Sequence, residues 1–412
     1  MARIEPFRGV RPRPDLAERV ASPPYDVLNS MEARQMASGN PHSFLHVVKP
    51  EIDLPEGTDL YADIVYDKAR ENLERLRKEG DLIQDPESCF YLYRQVWRGH
   101  EQVGLVAGAS AQDYLDDVIR KHELTREQKE TDRMRHIKAL NANTGPVFLT
   151  FKQQPEIDSL FSVGLETEAA YDFTTADGVR HVFHVMRNPE WIRRIQDAFR
   201  SIDTLYVADG HHRSAAATRV KVEREAANPG HTGDEEYNFF LAVIFPHNQM
   251  KILPYNRVVR DLNGLSVPAF LERVAESFEV RPGGEPAPAS VHGFSMYLNG
   301  TWHELRAREG SYDPRHPVES LDVAILQANL LDPILGIGNP RTDERIDFVG
   351  GIRGTKELVR LVDGGDFAVA FSLFPTTIEQ LFLVADAGRT MPPKSTWFEP
   401  KLRSGMVVHL LD

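Results

Sequence analysis

The run Val207-Ala208-Asp209-Gly210-His211-His212-Arg213-Ser214 sets a carboxylate, two imidazoles and a guanidinium around a single glycine. The apolar Thr204-Leu205-Tyr206-Val207-Ala208 predicts a strand leading in, and the alanines after Ser214 predict a helix leading out. Gly210 permits a backbone turn closed to other residues and lets a ligand approach closely. The first amides of the helix lack intrahelical acceptors, so the turn suits an anion, and phosphate most of all. Arg213 offers a planar fork of donors that matches phosphate oxygens. His211 and His212 can donate hydrogen bonds or shuttle a proton near neutral pH. Asp209, directly after the strand, is a candidate to hold magnesium, orient a histidine or accept a substrate proton. Two other readings stand beside this one. Asp209 can simply cap the helix with both histidines solvated, or the histidines can bind zinc. Against zinc, neighbouring residues diverge in direction and no H-x-x-H or H-x-x-x-H partner spacing accompanies them.

Two further segments carry chemistry-bearing residues. Lys121-His122-Glu123-Leu124-Thr125 opens a densely charged stretch that runs to Lys138. If the helix starts at Thr125, Lys129 and Arg133 share its face. The default is a solvated helix; the functional reading has His122, Glu123, Lys129 and Arg133 facing a polar cleft. Near the C-terminus, Met391-Pro392-Pro393-Lys394-Ser395-Thr396 presents a cation and two hydroxyls in a row. It resembles the end of a phosphate-binding loop without that loop's glycines and strand context. Lys401 and Arg403 add local positive charge.

The elements that must position these groups are legible in outline. Asp59 to Lys78 has amphipathic helical spacing and stops at Gly80. Residues 89–97 and 103–109 predict a hairpin, as do 171–173 and 180–185 around Ala176-Asp177-Gly178. In the second hairpin, alternation puts His181 and His184 on opposite faces, so at least one is expected at the surface. Helices are predicted over 111–120, 125–142, 189–200 and 376–387, and strands over 146–151, 237–245 and 406–411. The wholly apolar 237–245 reads as a central strand. The first fifty residues are proline-rich; Ser22-Pro23-Pro24-Tyr25-Asp26 cannot be interior helix. The glycines and prolines of residues 281–288 predict a loop or linker.

With 41% hydrophobic and 26% charged residues, the composition is that of a folded chain of two or three domains or one elaborate α/β unit. A net charge of −13 argues against broad affinity for nucleic acid or anionic membranes, though not against a local basic pocket. Cys89, the one cysteine, allows no intrachain disulfide and reads as a core thiol. No apolar signal region or membrane span is legible, and a cytoplasmic protein is expected.

Several of these segments together carry a family resemblance. Pro24-Tyr25-Asp26-Val27, His122-Glu123-Leu124-Thr125, Ala208 to Arg213, Thr342 to Gly350 and Met391 to Thr396 occur in the order expected of domain-of-unknown-function family 1015, and the chain is identified as a member. More distantly, Asp-Gly-His-His-Arg between strand and helix is similar to the signature of free serine kinases of the ParB/sulfiredoxin-like fold. That resemblance implies nucleotide-phosphate contacts for Gly210, His211, His212 and Arg213, and a first core strand within residues 4–14. The turn lacks the cysteine of sulfiredoxins, and no residue matches the kinases' catalytic glutamate.

These readings give an α/β architecture with a mixed sheet. A ParB/sulfiredoxin-like core with insertions is expected over residues 1–265, and a C-terminal α/β portion over 266–412. The function expected first is a small-molecule kinase that transfers a phosphoryl group from ATP or ADP, with CTP as the alternative, to a hydroxyl compound such as free serine. Asp209, His211, His212 and Glu123 are the catalytic candidates. Gly210, Arg213, His122, Lys394, Ser395 and Thr396 are the nucleotide-binding ones, and Asp209 is the candidate ligand for Mg2+. A nucleotide-gated ParB-like binding protein and a phosphatase of a phosphorylated metabolite are the alternatives. A homodimer is compatible with all three.

Overall fold

Eight consecutive buried residues, Phe239–Pro246, form a strand near the middle of a nine-stranded sheet. A strand without a polar face needs cover on both sides. In the computed structural model, which describes residues 1–412, the sheet runs from Ile119–Arg120 through Leu205–Asp209, Val147–Phe151, Phe239–Pro246, His100–Ser110, Phe90–Trp97 and Arg180–Met186 to Tyr171–Thr174. Ile4–Glu5 pairs with His100–Ser110 off this path. Two pairings are parallel, Leu205–Asp209 with Ile119–Arg120 and Phe239–Pro246 with Val147–Phe151; the others are antiparallel. The fold class is therefore mixed α/β, as expected. Phe151, Leu160, Ile195 and Phe199 belong to the core on one side of this sheet. A second cluster joins the proline-rich N-terminal segment, through Val10, Val20 and Phe44, to Leu73 and Leu76 of the helix Asp63–Lys78.

The chain divides into two units, Met1–Met250 with Pro400–Asp412, and Lys251–Glu399. The division thus precedes residue 265, and the last thirteen residues return to the first unit. That return is pinned by backbone pairs. Ser404 and Ser22 exchange N–H···O bonds, Val408 and Val10 do the same, and His409–Leu410 pairs with Ala142–Asn143. Gln95, wholly buried, donates to the Lys401 carbonyl at 3.0 Å. The second unit is built on a six-stranded antiparallel sheet, ordered Phe278–Pro282, Thr301–Ala307, Gly293–Leu298, Val369–Leu373, Tyr255–Val259, Ile346–Gly350. Residues 281–288 lie inside this unit as a strand end and loop, not as a link between units.

Three local expectations differ from the structure. The helix predicted over 111–120 is the short Ala111–Leu115, because Ile119–Arg120 leaves to pair with the sheet edge. The strand predicted over 406–411 is only His409–Leu410. His181 and His184 are both buried, since the sheet is covered on both faces there. His181 meets the Tyr93 hydroxyl at 2.6 Å, and His184 contacts the Thr167 carbonyl at 3.1 Å. No helix is long and apolar enough to cross a membrane.

Candidate functional site

The Asp209 turn is made by a bulge and a glycine. Opposite Val147–Phe151 the register slips between Val207 and Asp209, so Ala208 is the extra residue and Asp209 is re-aimed at the strand end. Gly210 then takes φ 95° and ψ 28° and begins the helix His211–Ala227 as its N-cap, with no side chain capping it. Asp209 is therefore not the cap. Arg213 and Ser214 already donate to the Gly210 carbonyl, leaving the His211 and His212 amides without intrahelical acceptors. Ala215, Ala216 and Ala217 are buried and let the helix pack closely.

Arg213 lies under the turn. It is 9% exposed, and one Nη donates to the Pro146 carbonyl. Its other Nη sits 3.8 Å from both Asp26 and Asp209, and its Nε is buried with no partner. A methyl group at Gly210 would lie 3.1 Å from Nε and 3.2 Å from Cζ of this guanidinium, in a left-handed conformation. Replacing Gly210 by alanine is expected to cost about 1–3 kcal/mol in urea unfolding and to displace the guanidinium as well. An unchanged midpoint would refute this account of the turn.

Asp209 is held by Lys401, whose Nζ donates to it at 2.9 Å. Desolvation raises its proton affinity, but Lys401 and then Arg213 outweigh it and keep the carboxyl well below the usual range. On the far side of Arg213, Asp26 ends the Pro23-Pro24-Tyr25-Asp26 segment and is half exposed. Tyr25 carries the Arg133 guanidinium on its ring at 4.1 Å, and Arg133 pairs with Asp132, which also accepts from the Tyr66 hydroxyl. A small cleft of about 30 Å³ opens here, lined by Pro24, Tyr25, Arg133, His136, Thr144, Gly145, Arg213 and Ser404.

The histidines behave differently from one another. His211 is 4% exposed and its ring meets the edge of His122, itself 2% exposed, at a centroid separation of 4.5 Å. Neither ring nitrogen of His122 completes a hydrogen bond, although the Val207 backbone lies beside it, and His211 Nε2 has none either. Burial pulls His122 down to about 4, and burial with the adjacent His122 pulls His211 well below its ordinary value. Both are neutral at pH 7, so they supply no positive charge to an anion. Glu123 Oε2 lies 3.9 Å from His211 Nδ1. His212 Nε2 accepts from the Arg126 amide at 3.0 Å, which leaves the proton on Nδ1 of the neutral ring.

The buried imidazoles make a pH prediction. A histidine whose folded value is depressed takes up its proton first in the unfolded chain. Its neutral burial thus favours folding above about pH 6.5, and stability falls as pH drops from there towards 4. At pH 5 the loss is on the order of 1–2 kcal/mol for His122. Thermal unfolding between pH 7 and 4.5 should show this slope, flattened in His122→Leu; an identical slope in that variant counts against it.

Of the residues singled out from sequence, Asp209, Gly210, His211, His212, Arg213, His122 and Glu123 come together in the first unit. Lys394, Ser395 and Thr396 belong to the second. There Ser395 is buried, and its hydroxyl closes a turn by donating to the Pro392 carbonyl at 2.6 Å. Lys129 is exposed, whereas Arg133 lines the cleft. Asp26, Tyr25 and Lys401 were not among the candidates, although Pro24-Tyr25-Asp26-Val27 is one of the segments behind the family resemblance. No group of three or more His, Cys, Asp or Glu side chains is arranged to hold a metal ion.

A family model described as protein of unknown function, DUF1015, matches residues 4–324, and the chain belongs to that family. No curated protein matches it. Among solved structures it is similar to a free serine kinase in complex with AMP, at 13% identity and a TM-score of 0.35, over 69% of this chain and 84% of that one. It is also similar to SbnI with a C-terminal truncation from Staphylococcus aureus, at 12% identity and a TM-score of 0.38, over 73% and 85%. A conserved hypothetical protein from Pyrococcus furiosus aligns at 14% identity and a TM-score of 0.33, over 69% and 88%.

Proposed function

We propose that the cleft beside Arg213 binds the phosphoryl groups of a nucleotide and passes one of them to the hydroxyl of a small metabolite, of which free serine is the first to try. The observation that carries this reading is Arg213 itself: a buried guanidinium under a glycine-opened helix, with an unpartnered Nε and a cleft beside it. Phosphoryl transfer asks for charge neutralisation, in-line positioning and a group that takes the acceptor proton. Arg213 and Arg133 supply the first. The amides of His211 and His212 lie off the cleft wall and serve as donors to a ligand that extends from the cleft to the helix start. Asp209 makes a poor base, because its charge is committed to Lys401 and Arg213. Asp26, half exposed and 3.8 Å from the Arg213 guanidinium, is better placed to accept the hydroxyl proton as the new P–O bond forms and the bond to the leaving nucleotide oxygen breaks. ATP or ADP is the expected donor and CTP the alternative.

Asp26 and Asp209 approach the same Nη of Arg213. Magnesium takes one or two carboxylates and completes its shell with phosphate oxygens and water; Asp26 can offer one such carboxylate, whereas Asp209 is committed to Lys401 and Arg213. Bound there, it would neutralise phosphate charge. Isothermal titration with ATP, ADP and CTP, each with and without magnesium, tests the reading. Saturable heat with at least one nucleotide is expected, followed by label transfer to serine or another hydroxyl compound. No heat with any of them ends the proposal, and hydrolysis of a phosphorylated amino acid without nucleotide would replace it with a phosphatase.

A further inference from the structure

Four arginines are buried in this chain, and three of them, Arg11, Arg213 and Arg403, have a carboxylate within 4 Å. The fourth, Arg257, is the most buried at 3% exposure and has none. It lies on the strand Tyr255–Val259 of the second unit. Its Nη1 donates to the Tyr255 carbonyl, and its Nη2 to the carbonyls of Lys394 at 3.0 Å and Pro393 at 3.4 Å. Three carbonyls satisfy part of the fork but leave its charge uncompensated, which is costly inside a protein. Burial accordingly pulls its proton affinity down, to about 9.

A second cation stands at the same place. Lys394 is exposed, sits in the left-handed region at φ 58°, and carries its Nζ over the Tyr255 ring at 5.3 Å. It too forms no ion pair. Two positive charges therefore meet around Tyr255 and the Pro392-Pro393-Lys394 turn without an acid between them, in a chain whose net charge is −13. Tying the turn explains the carbonyl bonds of Arg257 but not its lack of an acid, and Lys394, solvated and set over Tyr255, brings a second cation to the same place. We infer that Arg257 and Lys394 form an anion subsite in the second unit that takes an oxyanion, the carboxylate or phosphate of a small metabolite. An oxyanion there would supply the missing counter-charge and accept from the two guanidinium donors left after the three carbonyl bonds. This inference goes beyond the phosphoryl-transfer reading and does not rest on it.

Trp397, whose ring is 5.2 Å from Tyr255, is a built-in reporter. The full chain is titrated with inorganic phosphate and, separately, with malonate, against sodium chloride at matched ionic strength, while tryptophan fluorescence is followed. A saturable change with at least one of the two oxyanions is expected, and which one responds tells phosphate from carboxylate. Half-saturation should rise at least tenfold in both Arg257→Met and Lys394→Ala, and stay as in the parent in Arg213→Met. Lys394 is exposed, so its variant tests the site even if Arg257→Met does not fold. No saturable change with either oxyanion, a change that survives Lys394→Ala, or one abolished by Arg213→Met overturns the inference. Failure of nucleotide binding with this response intact would count only against the proposed function.

Discussion

Replacing Arg213 by lysine should weaken nucleotide binding by about 100-fold or more while costing the unliganded protein only about 1–2 kcal/mol of stability. The two effects separate because of how the guanidinium is held. Asp209 keeps Lys401 at 2.9 Å when Arg213 is lost, and Asp26 is half exposed and can be solvated. Neither carboxylate is stranded in the way that makes broken buried pairs so costly. The bond to the Pro146 carbonyl is the main loss to the fold, worth about 1 kcal/mol. A phosphoryl ligand, in contrast, needs the planar fork, which an ammonium does not reproduce. Isothermal titration and urea unfolding on the same variant read the two quantities. Affinity within threefold of the parent would remove Arg213 from the binding site, and with it the observation on which the proposed function stands.

How far this site could be read in the sequence depends on how far apart its parts lie along the chain. Strand, glycine and helix at residues 205–227 are local, and composition alone places them. The same holds for the helix Pro189–Arg200, which begins with proline behind an asparagine cap. That His211 and His212 would part company was also legible, since neighbours on a helix point about 100° apart. Asp26 is legible only as part of a family motif and Lys401 only as local positive charge, because nothing local names their partners. They reach Arg213 and Asp209 only because Ser404 and Val408 bridge to Ser22 and Val10, and because Gln95 holds the Lys401 carbonyl. Such short pairings carry no periodicity. The buried His181 and His184 misled for a related reason: strand alternation separates two faces but does not reveal that both are covered. The neutral state of His211 is likewise tertiary, since it follows from burial against His122, about ninety residues away in the chain.

Asp209 provides the second large effect, this time on stability. Its carboxylate stands between Lys401 and Arg213, and all three side chains are largely buried. Asp209→Asn keeps the shape but leaves two cations facing each other across a neutral amide. At pH 7 the expected loss is about 2–4 kcal/mol, towards the lower end of what removing one partner of a buried pair costs, because solvent still reaches part of the group. The pH dependence fixes the cause. A carboxyl held well below its ordinary value in the folded protein stabilises it above about pH 4, where the unfolded chain also carries the charge. As pH falls below 4 the unfolded chain is protonated first and that contribution drains away. The gap between parent and Asp209→Asn should therefore be widest near neutrality and narrow steadily towards pH 3. A gap that stays constant from pH 7 to pH 3 would mean that packing, not charge, holds the turn, and the electrostatic account of Asp209 would fail. Lys401→Met provides the cross-check. If Lys401 is the principal partner, the double variant should cost less than the two single variants added together, by about 1–3 kcal/mol.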